Sequence, residues 1–209
     1  MAFDLQEQEQ IDELKAFWAQ WGKWISAAVL AAALGYAGTK GWAYFQQLQA
    51  EKASVVYDEV AGAAQAGDLA KLKRSIAVLQ SEYGRTAYAS RAALLAAKAA
   101  FDKQDLALAK SQLSWAVEHA KEPALQAVAR LRLAAVLLDE KRYDAAIAEL
   151  NQEHASAFDA LFLDLKGDVY AAKGDSKAAR DQYKSALAKL VGDSPNRQYI
   201  QTKLDALGG

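Results

Sequence analysis

The side chains with the strongest claim to chemistry are two histidines, each directly behind a glutamate: Glu118 and His119 in "VEHAK", Glu153 and His154 in "QEHAS". Imidazole is the usual proton shuttle near neutral pH and a common zinc ligand. Both histidines are expected to close the second helix of a helical hairpin, where the ring meets the negative end of the helix dipole. Equivalent positions in stacked hairpins lie on the order of 10 Å apart, too far to share one zinc ion. Asp164 and Asp168 share a helix face at i, i+4, as an acid and base pair would, but neither a nucleophile nor a phosphate-binding glycine loop accompanies them. The absence of cysteine from all 209 residues removes thiol nucleophiles, disulfides and thiolate metal sites. Lys and Arg number 25 against 26 Asp and Glu, so no basic field exists to gather nucleic acid. No enzyme, metal or cofactor is expected.

The elements that position these residues recur along the chain. With 2 prolines, 12 glycines and a wealth of alanine and leucine, the sequence predicts an all-α protein. Turn signals recur in "QAGDLAKLKRSI" from residue 65, "DKQDLALAKSQL" from 102, "DEKRYDAAIAEL" from 139 and "AAKGDSKAARDQY" from 171. Their pivots, Leu72, Ala109, Ala146 and Ala179, are 37, 37 and 33 residues apart, the period of stacked helical hairpins. Gly67 and Gly174 are suited to end helices, and Asp68, Asp105 and Asp175 to cap the next ones. Ser194 and Pro195 are read as the same device at the start of a final capping helix over 195–207. The last unit looks like a tetratricopeptide repeat in detail: Gly167 and Tyr170 on its first helix, and Ala179, Tyr183 and Ala186 on its second. The earlier units are degenerate.

Ahead of the repeats, "WISAAVLAAALGYAGTKGWAYF", residues 24–45, carries one charge, Lys40. As a helix it would be about 33 Å long, against a hydrocarbon core of roughly 30 Å. Four of the five tryptophans flank it: Trp18, Trp21 and Trp24 at one end, Trp42 with Tyr44 and Phe45 at the other, as interfacial belts would. Residues 1–23 carry five acidic side chains against Lys15 and Lys23, the wrong sign for a cleaved export signal. The expectation is an acidic, partly amphipathic tail (1–23), a transmembrane helix (24–45) and a tetratricopeptide-like domain (46–209) of about four hairpins plus the cap. Ala27, Ala31 and Gly35, at i, i+4, i+8, form a small-residue face on which another membrane helix could dock, although small residues are abundant throughout this segment. Flanking charges leave the orientation open.

An acidic tail, "ELKAFWAQWGKW", an Ala/Gly-rich span, the exit "GWAYFQQ" and degenerate tetratricopeptide hairpins, in that order, resemble the YfgM family, ancillary subunits of the bacterial SecYEG translocon. The resemblance covers essentially the whole chain, and its specificity comes from this arrangement together with the exit formed by Gly41, Trp42, Tyr44 and Phe45. It implies a single-pass inner-membrane protein with a cytoplasmic N-terminus and a periplasmic repeat domain. It also implies partnership with SecYEG and a PpiD-like periplasmic chaperone, and a part in handing on newly translocated, unfolded exported proteins.

In tetratricopeptide arrays the first helix of each hairpin lines a concave surface. The repeat alignment places Arg91, Leu94, Lys98 and Phe101 there from one hairpin, Leu131, Ala135 and Leu138 from the next, and Leu161, Asp164 and Asp168 from the last. Such a groove would suit extended polypeptide, with apolar anchors for affinity and charges for orientation; equally, several of these side chains could pack inside the solenoid. Two functions remain open: an interaction protein that binds a chaperone or client, and a structural scaffold of an envelope or membrane assembly without client binding.

Overall fold

A computed structural model describes residues 2–190, 192 and 194–208, with side chains from residue 9 onward; Asp4 and Glu7 of the acidic tail lie outside the described side chains. Among the described residues there is no strand. The helices are α1 (Ala2–Ala66), α2 (Leu69–Tyr83), α3 (Ala87–Asp102), α4 (Leu106–His119), α5 (Pro123–Asp139), α6 (Tyr143–Leu150), α7 (Asp159–Lys173), α8 (Ser176–Lys189) and α9 (Pro195–Ala206), with a 3-10 turn at Ser156–Phe158. The chain divides into two units, Met1–Leu48 and Gln49–Gly209.

In the first unit the backbone runs as part of the 65-residue α1, without a break at residue 23 or 45. Among the described residues no helix is long and apolar enough to cross a membrane. Alanine and glycine add little hydrophobicity, and Trp and Tyr favour the interface over the hydrocarbon. Bulky apolar side chains nonetheless lie open along this unit: Trp24, Leu34 and Tyr44 are each 65 % exposed or close to it.

The second unit is the repeat stack. The end of α1 pairs with α2, α3 with α4, α5 with α6 and α7 with α8, and α9 packs on α8. Four turns join the paired helices by one scheme, in which a backbone N–H reaches back five residues to a carbonyl: Asp68 to Ala63 (3.0 Å), Asp105 to Ala100 (2.9 Å), Arg142 to Leu137 (2.8 Å) and Asp175 to Tyr170 (2.9 Å). This is the Schellman closure, and it needs one residue in the left-handed region. Gly67 (φ 67°) and Gly174 (φ 90°) supply it without cost, whereas Gln104 (φ 63°) and Lys141 (φ 60°) adopt it with a side chain attached. Asp68, Asp105 and Asp175 accept hydrogen bonds from the N–H groups of Lys71, Leu108 and Ala178 at 2.9–3.0 Å, as their positions predict. Ser194 differs from expectation: α9 starts at Pro195 as anticipated, but the serine hydroxyl makes no capping hydrogen bond.

All four pivots, Leu72, Ala109, Ala146 and Ala179, are completely buried. Alanine there lets the paired backbones approach, and leucine and aromatic neighbours fill the space between hairpins. The main core joins α3 to α7 through Leu113, Leu133, Leu137, Leu150 and Phe162. A second cluster joins α1, α2 and α3 through Val60, Leu72, Ile76 and Leu79, each such buried side chain contributing about 2 kcal/mol. A smaller one, Tyr183, Ala186, Ile200 and Leu204, seats α9.

The strained turns give a direct test. A left-handed non-glycine residue costs about 1 kcal/mol, part of which glycine returns as unfolded-chain entropy. Lys141→Gly is therefore expected to stabilise by about 0.5–1 kcal/mol, raising the thermal midpoint by roughly 2 °C. A lowered midpoint by calorimetry would mean that the turn carries no strain.

Candidate groove between the first helices

The first helices α3 and α5 both carry alanine where they face each other, Ala97 and Ala135, and two side chains of that size do not fill the space between helices. The result is an open cavity of about 320 Å³. Its walls are Ala97 and Phe101 from α3, and Ala135 and Val136 from α5, with Leu113 contributed by α4. Lys98, Asp102 and Arg132 supply the charge. The Lys98 ammonium donates to the Asp102 carboxylate at 2.6 Å, one helical turn on. Arg132 reaches towards the Leu94 carbonyl at 3.5 Å, the outer limit of a hydrogen bond, and among the described residues it has no ion-pair partner.

Of the ten residues expected along the concave surface, Lys98, Phe101 and Ala135 line this cavity. Leu94 is buried, and Leu131 and Leu138 are half-buried against the main core, so these three pack within the solenoid. Arg91 is exposed beside Glu122 at 3.4 Å, and Leu161 is 39 % exposed on α7. Ala97, Asp102, Leu113, Arg132 and Val136 escaped sequence reasoning. Asp102 is one turn beyond Lys98 and Arg132 one turn before Ala135, so helical spacing could have found both. Leu113 belongs to the neighbouring helix and could not be found that way.

Asp164 and Asp168 lie together, but in an internal ion network. Lys203 of α9 donates to Asp164 at 2.9 Å and to Asp168 at 2.8 Å, and the Tyr183 hydroxyl donates to Asp168 at 2.8 Å. Burial pushes the Asp164 carboxyl above the usual carboxylate range despite Lys203, with Asp168 adding repulsion. Burial works against the Lys203 cation, yet its two carboxylate partners hold its pKa above the ordinary lysine value. Burial and the Asp168 carboxylate drive the Tyr183 phenol well up. This arrangement anchors the last helix.

The histidines do not meet as a pair of equivalent helix ends. His119 closes α4 as expected, its ring stacked on Trp115 (4.4 Å between centroids) and Nδ1 3.0 Å from the Trp115 carbonyl. His154 corrects the expectation. Helix α6 ends at Leu150, and the chain turns through Asn151 and Gln152. His154 then lies on Phe162, 3.6 Å between centroids, with Nε2 3.4 Å from Asp159. Stacking on a buried ring outweighs the gain of extending α6 through Asn151, a weak helix former. Among the described residues no three His, Asp or Glu side chains converge as metal ligands would.

A family model described as a tetratricopeptide repeat-like domain matches residues 15–209. Three relatives share the description "Ancillary SecYEG translocon subunit". The one from Neisseria gonorrhoeae is 37 % identical over 208 residues, covering 99 % of this chain and 100 % of the relative. That from Haemophilus influenzae is 35 % identical, with 99 % and 100 % covered, and that from Escherichia coli 29 % identical, with 96 % of each covered. With this extent of similarity, and hairpins stacked as the repeats require, the chain belongs to the tetratricopeptide repeat-like family of ancillary SecYEG translocon subunits.

Proposed function

We propose that this chain is a non-catalytic, membrane-anchored adaptor of the SecYEG translocon. Its groove between α3 and α5 holds a periplasmic chaperone of the PpiD kind or a newly translocated polypeptide. The observation that carries this reading is the apolar cavity between two first helices, rimmed by charge and left open where Ala97 and Ala135 are too small to close it. That is the form of a surface that takes side chains of an extended partner.

Residues 24–45 serve as the anchor, with residues 1–23 on the cytoplasmic side and residues 46–209 in the periplasm. Support comes from apolar and aromatic side chains left exposed along this stretch, from Lys40 lying over the Tyr36 ring at 5.5 Å, and from Thr39, whose hydroxyl donates to the Tyr36 carbonyl at 2.8 Å. The low apolarity of the stretch makes insertion marginal, so it gains from the company of other membrane helices, with Ala27, Ala31 and Gly35 as the face of closest approach.

A photo-crosslinking amino acid at Ala135, which lines the groove without belonging to the core, tests the reading in growing cells. Adducts to exported chains or a chaperone are expected. Adducts only to stoichiometric subunits of one assembly would instead support a scaffold role. Alkaline phosphatase fused after Gly209 is expected to be active; inactivity would overturn the proposed orientation.

A further inference from the structure

We infer that the groove between α3 and α5 selects polypeptide segments in which a bulky apolar residue stands next to an aspartate or glutamate, the apolar side chain entering the cavity and the carboxylate pairing with Arg132. This inference rests on the proposed polypeptide-binding role of the groove and adds its ligand chemistry.

The cavity, about 320 Å³, displaces roughly ten waters when filled, at the small end of ligand sites. That suits one large side chain with a little backbone. Its lining from Phe101, Leu113 and Val136 is apolar, so an aliphatic or aromatic anchor is favoured over a polar one. Charge then decides what may flank the anchor. Lys98 is paired with Asp102 at 2.6 Å, whereas the guanidinium of Arg132 forms no ion pair among the described residues and makes only the long contact to Leu94. The rim therefore presents one uncompensated positive charge, with donors spare for a carboxylate. In an extended chain successive side chains point to opposite sides. A residue adjacent to the anchor is therefore turned away from the apolar floor, where only a long, exposed side chain such as Arg132 can swing out to meet it. An internal acidic side chain matches this better than a chain end, because the segment can continue past the groove in both directions.

The test uses the full-length chain in detergent and fluorescent peptides blocked at both ends, Ser-Gly-Leu-Glu-Gly-Ser and its variants, read by polarisation. Replacing the peptide's glutamate with glutamine is expected to weaken binding about tenfold, and replacing its leucine with glycine to abolish it. Arg132→Gln is expected to bind the glutamate and glutamine peptides equally. The inference is overturned if Arg132→Gln keeps the full preference for glutamate. It is also overturned if a peptide whose only carboxylate is a free C-terminus binds as well as the blocked glutamate peptide. Ala135→Phe fills the cavity and is expected to lose both peptides; a folded Ala135→Phe protein that binds like the parent would refute the groove itself, separately from its charge preference. Should that variant fail to fold, Lys98→Glu reverses the net charge of the rim from an exposed position. About tenfold weaker binding of the glutamate peptide, with the glutamine peptide unaffected, is expected, and unchanged binding of both overturns the inference.

Discussion

Gly167→Val is expected to lower the thermal midpoint of the repeat stack by on the order of 10 °C, the equivalent of about 3 kcal/mol. Gly167 is buried in α7, and a Cβ placed on it runs into the ring of Tyr183 on α8. The ring has nowhere to go. Tyr183 is only 3 % exposed, and its hydroxyl is tied to Asp168 at 2.8 Å. The gain in helix propensity on leaving glycine is only a few tenths of a kcal/mol for valine, so it does not offset the overlap. A double-mutant cycle identifies the cause. In a Tyr183→Leu background, where the ring is absent, most of the penalty of Gly167→Val should disappear, leaving a coupling of about 2 kcal/mol. Additive effects would show that the overlap does not limit the packing of α7 on α8.

Lys203→Met is the second large expected effect, a loss of about 2–4 kcal/mol concentrated in α7, α8 and α9. The lysine side chain is 17 % exposed and that of Asp164 16 %. Removing the cation leaves Asp164 and Asp168 facing one another with little water to separate them. The penalty arises from the stranded carboxylates, so adding Asp164→Asn to the lysine variant should recover part of it. No recovery would place the cost in the lost packing of the lysine stem instead.

The same network sets a pH dependence. In the parent, the folded-state pKa values of Lys203 and Tyr183 both lie above their ordinary values of 10.5 and 10.0. A raised folded-state pKa means that the native state binds protons more tightly than the unfolded one. The resulting stability is complete below the ordinary values and is lost as pH rises through the folded ones. Thermal midpoints are therefore expected to hold up to about pH 9.5 and fall above roughly pH 10.5, with a shallower fall in Lys203→Met. Asp164 is raised as well, chiefly by burial, and without Lys203 the opposing influence is gone. By the same sign, Lys203→Met should recover stability on acidification towards the ordinary carboxylate value of 3.8, and the parent should gain less. Parallel midpoint curves for the two proteins on acidification would show that Asp164 does not govern this part of the pH dependence.

The parts of this protein legible in its sequence are those governed by neighbours along the chain. Helix content, the four hairpin turns, the capping aspartates and the buried pivots all follow from spacings of a few residues and from a period near 37. Local dihedral preference and the 3.6-residue period act at that range. Gln104 and Lys141 show where this ends: nothing local marks them as left-handed, and it is the closure of packed helices that imposes the conformation.

The groove was half legible. Lys98, Phe101 and Ala135 could be placed on it by repeat position, but a cavity is defined by missing volume, and volume depends on what the facing helix contributes. Only the packing of α3, α4 and α5 made Ala97 and Leu113 part of the lining, drew Leu94 into the core, and left Arg132 at the rim without an ion-pair partner among the described residues. Likewise the sequence by itself set Asp164 and Asp168 on one helical face. Whether that face meets a ligand or an internal cation was decided by Lys203, more than thirty residues away, because charges in a folded chain pair by distance in space and not along the backbone.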